Sequence, residues 1–204
     1  MDNLQEHDYA YSQSLMQKVA EGDQLAFREL YHLYHKRLHY FAFALVKTKE
    51  AAEEIVEDVF IRLWNQQSSI LQINNLKIYL YTATKNTALN YLSRKARESI
   101  VEPFDNIDIA LQETSLSPEQ IMITRETYKN IREAVDSLPP RCKMIFKLVR
   151  EDGLRYKEVA EILNISINTI DAQMAIAVQR IAEAVRRDFE KFPKSKSVSS
   201  QKKS

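Results

Sequence analysis

Apolar residues recur at helical spacing through the first half of the chain, and this periodicity predicts three long helices. The first covers residues 25–46. The second covers about 50–64 and carries acidic residues opposite its apolar stripe. Residues 65–75 interrupt the pattern with Gln, Ser and Asn, which predicts a loop. A third helix is expected over about 76–97.

A break in this periodicity separates the first half from a second helical region. Residues 98–117 are acidic, contain a proline and lack an apolar stripe, which is typical of an interdomain linker. Ser117 and Pro118 then resemble the cap and first residue of a new helix, with Gln120 completing the signal. The basic tail over residues 191–204 is too polar to form a core. The predicted organisation is a domain over 8–95, a linker over 96–117, a domain over 118–190 and a disordered tail over 191–204.

Composition favours an all-α protein. With 204 residues, of which 45% are hydrophobic, the chain is long enough for one ordinary core or two small ones. Only two glycines are present, so tight turns are scarce and no glycine-rich phosphate loop exists. The single cysteine, Cys142, excludes an internal disulfide framework and a CxxC metal site. Neither a signal peptide nor a membrane-length apolar run is present, so we expect a cytoplasmic protein without membrane insertion.

Charge is segregated along the chain although the net charge is only +1. Residues 64–97 contain five Lys/Arg and no Asp/Glu, whereas residues 98–140 contain three Lys/Arg and nine Asp/Glu. An acid-free basic block is the electrostatic footprint that a polyanion such as DNA requires. The alternative interpretation of the block is a solvated helix face.

The stretch RYKEVAEILNISINTIDAQMAIAVQRI, residues 155–181, has the spacing of a helix-turn-helix. Asn164 tolerates the left-handed backbone of the turn, and Ile170 supplies an apolar anchor. Ser166 is predicted to cap the second helix, so that outward residues near its N-terminus can meet base edges. Those residues are Asn168, Thr169, Ala172 and Gln173. Asp171 opposes this interpretation because phosphates repel a carboxylate, and a plain helical hairpin is the alternative.

Three stretches in the same order resemble the extracytoplasmic-function (ECF) sigma factors, the smallest type of the sigma-70 family. Region 4 of that family resembles LPPRCKMIFKLVREDGLRYKEVAEILNISINTIDAQM. Regions 2.1 and 2.2 resemble DQLAFRELYHLYHKRLHYFAFALVKTKEAAEEIVEDVFIRLW, and regions 2.3 and 2.4 resemble NLKIYLYTATKNTALNYLSRKAR. The resemblance covers residues 23–187. It implies a transcription initiation factor with two small helical domains, region 2 and region 4, joined by a flexible linker.

The resemblance also implies three sets of binding residues. Region 4 would read the minus-35 promoter element through Arg141, Arg155, Lys157, Ser166, Asn168, Thr169, Ala172 and Gln173. Region 2 would bind and melt the minus-10 element through Lys77, Tyr79, Tyr81, Lys85, Asn86, Asn90, Arg94 and Arg97, helped by the loop over residues 65–75. Core polymerase would contact Glu54, Glu57, Asp58 and Arg62. Because some tyrosines have to be core residues, we expect Tyr91 to be one of them.

The implied partners are core RNA polymerase, through its beta-prime clamp helices and beta flap, promoter DNA and an anti-sigma factor. No cofactor and no enzymatic chemistry are expected. Asp171 stands where many relatives carry Lys or Arg, and Asn90 stands where Asp is common, so the promoter sequence does not follow from the resemblance.

Other functional classes are compatible with parts of the pattern. A stand-alone helix-turn-helix regulator, with an N-terminal effector or dimerisation domain, would bind duplex DNA without polymerase. A helical adaptor would bind only protein. His32, His35 and His39 lie near one helical face, but no further ligand completes a tetrahedral site, so no metal is expected.

Overall fold

The computed structural model describes the backbone of residues 2–98 and 131–191 and the side chains of residues 10–96 and 131–186. Every regular element in these ranges is helical, as predicted. The N-terminal unit contains α1 (Asp2–Ala20), α2 (Gln24–Val46), α3 (Lys49–Asn65), a 3-10 helix (Gln67–Gln72) and α4 (Leu76–Glu98). The C-terminal unit contains α5 (described over residues 131–136), α6 (Pro140–Arg150), α7 (Tyr156–Leu163) and α8 (Ile167–Lys191). None of the described helices is long and apolar enough to cross a bilayer.

Local signals in the sequence fix both ends of α2. Asp23 Oδ1 accepts hydrogen bonds from the backbone N–H groups of Leu25 at 2.8 Å and Ala26 at 3.1 Å. These bonds satisfy two of the amides that a helix start leaves unpaired. The helix ends where Lys47 adopts a left-handed backbone with φ of 68° and donates its N–H to the carbonyl of Phe43. The three predicted helices of this unit, α2 to α4, match their expected bounds to within about one residue.

Two elements of the N-terminal unit differ from the sequence-based expectation. The periodicity does not identify α1, which packs against α2 and hydrogen-bonds it through buried Ser12 Oγ and Tyr34 OH at 2.9 Å. Residues 65–75, expected to be a loop, contain the 3-10 helix. Its Ile70 is 1% exposed and the helix packs against α1, so burial of one side chain orders this segment.

The apolar stripes of α2, α3 and α4 meet in a shared core. Leu38 of α2, Val56 of α3 and Leu80 of α4 are all fully buried. Burying a side chain of this size stabilises the fold by about 1.5–3 kcal/mol relative to leaving it in water. Aromatic rings extend the core, with the Phe27 and Trp64 centroids 4.8 Å apart. This packing holds the outer faces of α3 and α4 in fixed positions.

The C-terminal unit has its own buried residues. Ile145 of α6, Ile162 of α7 and Ile170 of α8 are fully buried. Cys142 is also fully buried, and its thiol donates to the backbone carbonyl of Gln173 with the sulfur 3.2 Å from the oxygen. These contacts fix α8 against α6 and thereby orient the first turns of α8.

The two units touch each other. Helix α7 packs against α4, and buried apolar residues of both units belong to one continuous cluster. The predicted linker from residue 99 onward, the start of the predicted second domain over 118–130 and the tail over 192–204 lie outside the described residues. The relation between the units is therefore defined by their direct contacts.

Candidate nucleic-acid interfaces

Helices α7 and α8 form the predicted helix-turn-helix. Asn164 has the left-handed backbone expected of the turn, with φ of 54° and ψ of 51°. The N–H of Ile165 then donates to the carbonyl of Ala160 at 3.0 Å, which closes the end of α7. Ile162 and Ile170 are fully buried between the helices. The predicted turn and its apolar anchor are confirmed.

The first turns of α8 expose the side chains that the sequence singles out. Ser166 Oγ accepts a hydrogen bond from the backbone N–H of Thr169 at 3.1 Å, so Ser166 caps the helix as predicted. Asn168 and Ala172 are exposed, whereas Thr169 and Gln173 are half-buried. The result is a polar helix edge with a capped, electropositive end.

The cationic side chains predicted to hold phosphates are exposed in the same unit. Arg141 at the start of α6, Arg155 just before α7 and Lys157 within α7 are all exposed. Arg180 Nη1 lies 3.5 Å from the carbonyl oxygen of Ser137, to which it donates. Exposed guanidinium and ammonium groups of this kind are available to phosphate oxygens.

Helix α4 carries the residues predicted for the minus-10 element, and they differ in accessibility. Asn86, Asn90 and Arg94 are exposed. Lys77, Tyr79 and Lys85 are half-buried, and the side chain of Arg97 lies outside the described residues. The exposed amides and the guanidinium lie in the middle and later turns of α4, whereas the start of the helix is partly covered.

Tyr81 differs from its neighbours because it is a core residue. It is 0% exposed, and its ring centroid lies 5.2 Å from that of Phe41. Burial raises the pKa of Tyr81 well above its ordinary value, and the nearby charge of Asp152 raises it further. Tyr91, which we expect to be buried, is only half-buried. Thr84 and Ala88 continue the inward stripe from Tyr81, so α4 packs Tyr81 in the core and leaves Tyr91 at its margin.

The start of α4 is covered by residues of the C-terminal unit. Lys77 Nζ donates to the backbone carbonyl of Asp152, and Asn75 Nδ2 donates to Glu158 Oε1 at 3.5 Å. Asn75 also caps α4, since its Oδ1 accepts the N–H of Ile78 at 3.1 Å.

The Asp152 carboxyl group is directed into this contact and faces three side chains of the N-terminal unit. Burial raises the pKa of Asp152 to about 6, although the Tyr81 hydroxyl and the charges of Arg37 and Lys77 lower it in part. No sequence signal identifies this role. An Asp followed by Gly153 between two helices is typical of a solvated turn, and its partners lie about 70 residues or more away in the chain.

Helix α3 presents an acidic stripe, which we define as Glu54, Glu57 and Asp58. Glu54 and Glu57 are exposed, and Asp58 is half-buried. Arg62 Nη2 lies 3.8 Å from Asp58 Oδ2, an exposed pair that is worth little by itself. The stripe is therefore a solvent-facing anionic surface supported by the buried face of α3.

The neighbouring Glu53 has a different environment. Its carboxylate oxygens lie 2.8 Å from His35 Nε2 and 3.5 Å from His39 Nε2. His32 is exposed. Among the described side chains, no group of three or more His, Cys, Asp or Glu is arranged to hold a metal ion. The histidines of α2 thus contact an acidic side chain of α3.

Comparison with known proteins identifies the family. Residues 30–98 match the family model for sigma-70 region 2, and residues 128–181 match the one for sigma-70 region 4. The ECF RNA polymerase sigma-E factor of Escherichia coli (strain K12) is 28% identical over 181 residues, covering 85% of this chain and 94% of that protein. The chain belongs to the extracytoplasmic-function group of the sigma-70 family. This sigma factor is a transcription initiation factor, with region 2 in the N-terminal unit and region 4 in the C-terminal unit.

Two solved structures resemble this sigma factor in fold. CnrH in complex with the cytosolic domain of CnrY matches with a TM-score of 0.52 and 15% identity, covering 87% of this chain and 99% of that one. The sigma factor RpoE, in complex with the anti-sigma factor NepR from Bartonella quintana, matches with a TM-score of 0.51 and 23% identity. That match covers 79% of this chain and 98% of the RpoE chain. At these identities the likeness concerns the fold alone.

Proposed function

We propose that this sigma factor directs core RNA polymerase to specific promoters, with region 4 reading the minus-35 element and region 2 binding the melted minus-10 strand. The observation that carries the proposal is the capped start of α8, which presents exposed polar side chains in a unit that also exposes cations on α6 and α7. A helix-turn-helix reads bases through these positions of its second helix.

In the proposed minus-35 complex, the first turns of α8 enter the major groove. Asn168 and Gln173 offer side-chain amides that can bond base edges, and Ala172 offers a small apolar surface for a thymine methyl group. Ser166 and Thr169 hold the helix end through their mutual hydroxyl contact at 2.8 Å. The phosphates on either side are held by Arg141, Arg155 and Lys157.

In the proposed minus-10 complex, α4 holds single-stranded DNA. Tyr79 stacks on an unpaired base, while Asn86 and Asn90 bond base edges and Lys85 and Arg94 bind phosphates. Lys77 and Arg97 complete the proposed set, whereas Tyr81, which the family resemblance also implies, is fully buried and supports the helix from the core. Stacking contributes about 1–3 kcal/mol per base, against a cost of a few kcal/mol to take a base out of the duplex. Melting is therefore sensitive to single contacts.

The polymerase-binding surface is proposed to be the acidic stripe together with Arg62. An anionic helix face suits a basic partner and speeds its association, although each exposed pair adds little affinity. We further propose an anti-sigma factor as a regulatory partner, supported by the RpoE structure, where such a protein is bound. Because transcription is cytoplasmic, we propose that these interactions occur in the cytoplasm. The proposed role is binding without catalysis.

Run-off transcription with core polymerase, on a library of upstream sequences from the same genome, tests the proposed function. We expect transcripts only when both proteins are present. Footprints on duplex promoter DNA by the sigma factor alone, with no effect of core polymerase, would instead identify a stand-alone helix-turn-helix regulator.

Open-complex formation tests the minus-10 assignment separately. Asn86→Ala should leave polymerase binding intact and reduce permanganate-reactive open complex, and a premelted bubble template should restore activity because opening is already complete. Leu71→Ala tests the segment before α4 in the same way, since Leu71 is 56% exposed whereas its neighbour Ile70 is buried. Failure of the bubble to restore either variant would contradict strand capture.

A further inference from the structure

We propose that the turn between α6 and α7 closes region 4 over the start of α4 in the free sigma factor and blocks that surface from nucleic acid. The proposal rests on the proposed function, since the blocked surface is the part of the proposed minus-10 site that lies at the start of α4. We call the contact the interdomain latch. Its members are Asp152 and Glu158 of region 4, and Arg37, Asn75, Lys77 and Tyr81 of region 2.

The first argument is that the latch occupies polar groups that DNA would need. Lys77 Nζ is bonded to the Asp152 carbonyl, and Asn75 Nδ2 is directed to Glu158 Oε1. Glu158 is itself held in place, because its Oε2 accepts the backbone N–H of Arg155 at 2.7 Å. A phosphate at the start of α4 would have to displace both contacts.

The second argument is that Asp152 brings a carboxylate to a place where a phosphate would be attracted. Arg37 lines the same cavity as Asp152, Lys77 bonds to the Asp152 carbonyl, and both cations lower the pKa of the carboxyl group. A cation from α2 and a cation from α4 are a combination that suits an anion. The chain supplies that anion itself when the units are closed.

The third argument concerns the cleft beside the latch. Tyr79 and Asn86 of α4 line this cleft together with Glu161 of α7. A DNA strand placed against the two α4 residues would therefore meet a like charge. Nucleic acid gains full access to this part of α4 only when α7 moves away.

The latch contacts themselves are polar, although apolar residues of both units also pack together where the units meet. Burial raises the pKa of Asp152, which means that the ionised carboxylate is held less favourably there than in water. In the same cavity as Arg37 and Asp152, Lys147 Nζ lies 6.0 Å from the Tyr40 ring centroid, a weak cation–π contact. A partner that binds the separated units more tightly than the closed pair will shift the population toward the open form.

Two opening substitutions on region 4, Asp152→Arg and Glu161→Arg, test the latch, and each is compared with a control variant. Asp152→Arg places a third cation against Arg37 and Lys77 and should separate the units. Asp152→Asn keeps the shape and polarity of the side chain and should leave them closed. Glu161→Arg is a second opening variant on an exposed position of α7. Glu21→Arg makes the same charge change on the exposed turn before α2, far from the latch in sequence, and serves as the matched control.

Separation is measured by electron-spin distance between labels at Lys36→Cys and Ala175→Cys, both exposed, with buried Cys142 left in place. Accessibility of α4 is measured by the affinity for fluorescent oligo(dT) of about 20 nucleotides, since binding to such a strand needs no particular sequence. We expect Asp152→Arg to lengthen and broaden the distance distribution and to bind oligo(dT) at least about tenfold more tightly than Glu21→Arg. At about pH 5, where the carboxyl group of Asp152 is mostly protonated in the closed form because its pKa is about 6, Asp152→Asn should resemble the wild-type protein in both measurements.

The contrary outcomes are distinguishable. Unchanged distances in both Asp152→Arg and Glu161→Arg, with helicity retained, would overturn the latch. Equal oligo(dT) binding by Asp152→Arg and Glu21→Arg would overturn its blocking role. Neither result concerns polymerase-dependent transcription by the wild-type protein, and loss of that activity would overturn the proposed function instead.

Discussion

The two proposed DNA-reading helices differ in how ready they are to bind. The first turns of α8 are capped and open to solvent, with Asn168 and Ala172 exposed. The first turns of α4 are also capped, but Lys77 and Asn75 are bonded to region 4. The sequence analysis predicts a DNA-binding role for both helices, and the difference in their accessibility arises from tertiary contacts between the units.

This difference bears on the order of events in initiation. A surface that is exposed in the free protein can take part in early encounters with duplex DNA, whereas a covered one acts only after the units separate. The covered surface is part of the site proposed to bind melted DNA, which exists only late in the process. Under the latch proposal, this part of the site stays closed until the units separate.

The largest effect is expected from the buried tyrosine at the boundary of the two units. Tyr81→Ala should lower the free energy of unfolding by about 3–5 kcal/mol, the cost typical of truncating a buried aromatic residue. Half-buried Tyr79→Ala should cost much less and mainly reduce open complex. The free energy of unfolding of both variants is measured by urea denaturation monitored with circular dichroism. Equal stabilities would show that Tyr81 is not a core residue.

A smaller effect is expected at the open helix. Replacing Asn168 or Gln173 with Ala should relax the minus-35 preference by about 1–3 kcal/mol for each lost base contact. Gln179→Ala, an exposed amide further along α8, is the matched control and should leave promoter choice unchanged. Promoter competition in run-off assays measures the difference. If all three variants choose the same promoters, the start of α8 does not read bases.

The ratio of open to closed latch should depend on pH through the carboxyl group of Asp152. Asp152 has a pKa of about 6 in the closed form and an ordinary value near 3.8 when exposed, so the closed form binds more protons between these values. The protonated carboxyl group of Asp152 therefore stabilises the closed form fully below about pH 3.8, and this stabilisation is lost as the pH rises through 6. Raising the pH from about 5 to 7.5 should increase the open-to-closed ratio about tenfold.

Spin-label distances at the two pH values measure this change, and the Asp152→Asn variant is the control. In that variant the carboxyl group is absent, so the distances should change little with pH. An equal response in both proteins would assign the pH dependence to groups other than Asp152.

The smallest effects are expected on the acidic stripe of α3. Reversing Glu54, Glu57 or Asp58 singly to Lys should weaken core-polymerase binding by about 0–1 kcal/mol, because exposed charges are screened. The triple reversal should show a larger loss that shrinks as salt increases, since screening acts on each pair. Affinity measured over a salt series tests this. No loss at low salt would place the polymerase-binding surface elsewhere.

Most of the fold follows from periodic signals in the sequence, and its exceptions have local causes. Helices α2 to α4 have long apolar stripes, and Asn164 identifies the turn of the helix-turn-helix through its tolerance of the left-handed backbone. The 3-10 helix lacks such a stripe, because a single residue, Ile70, accounts for its burial. A period cannot be recognised in a segment that is only six residues long.

The candidate sites are predictable only in part. Exposure of Asn168 follows from the cap and the helical repeat, but the choice between Tyr81 and Tyr91 depends on where α2 crosses α4. The latch is not predictable from one sequence, because polar contacts such as that of Asn75 with Glu158 join residues far apart in the chain and leave no periodic trace.

The buried position of Cys142 determines how this protein responds to oxidants. Its thiol is shielded from solvent and bonded to a backbone carbonyl, and burial raises its pKa, so the reactive thiolate is rare. Because it is the single cysteine in the chain, an intramolecular disulfide is also impossible. Peroxide therefore finds no ready target thiol here. If promoters served by this sigma factor respond to oxidative stress through a reactive thiol, that thiol belongs to a different molecule.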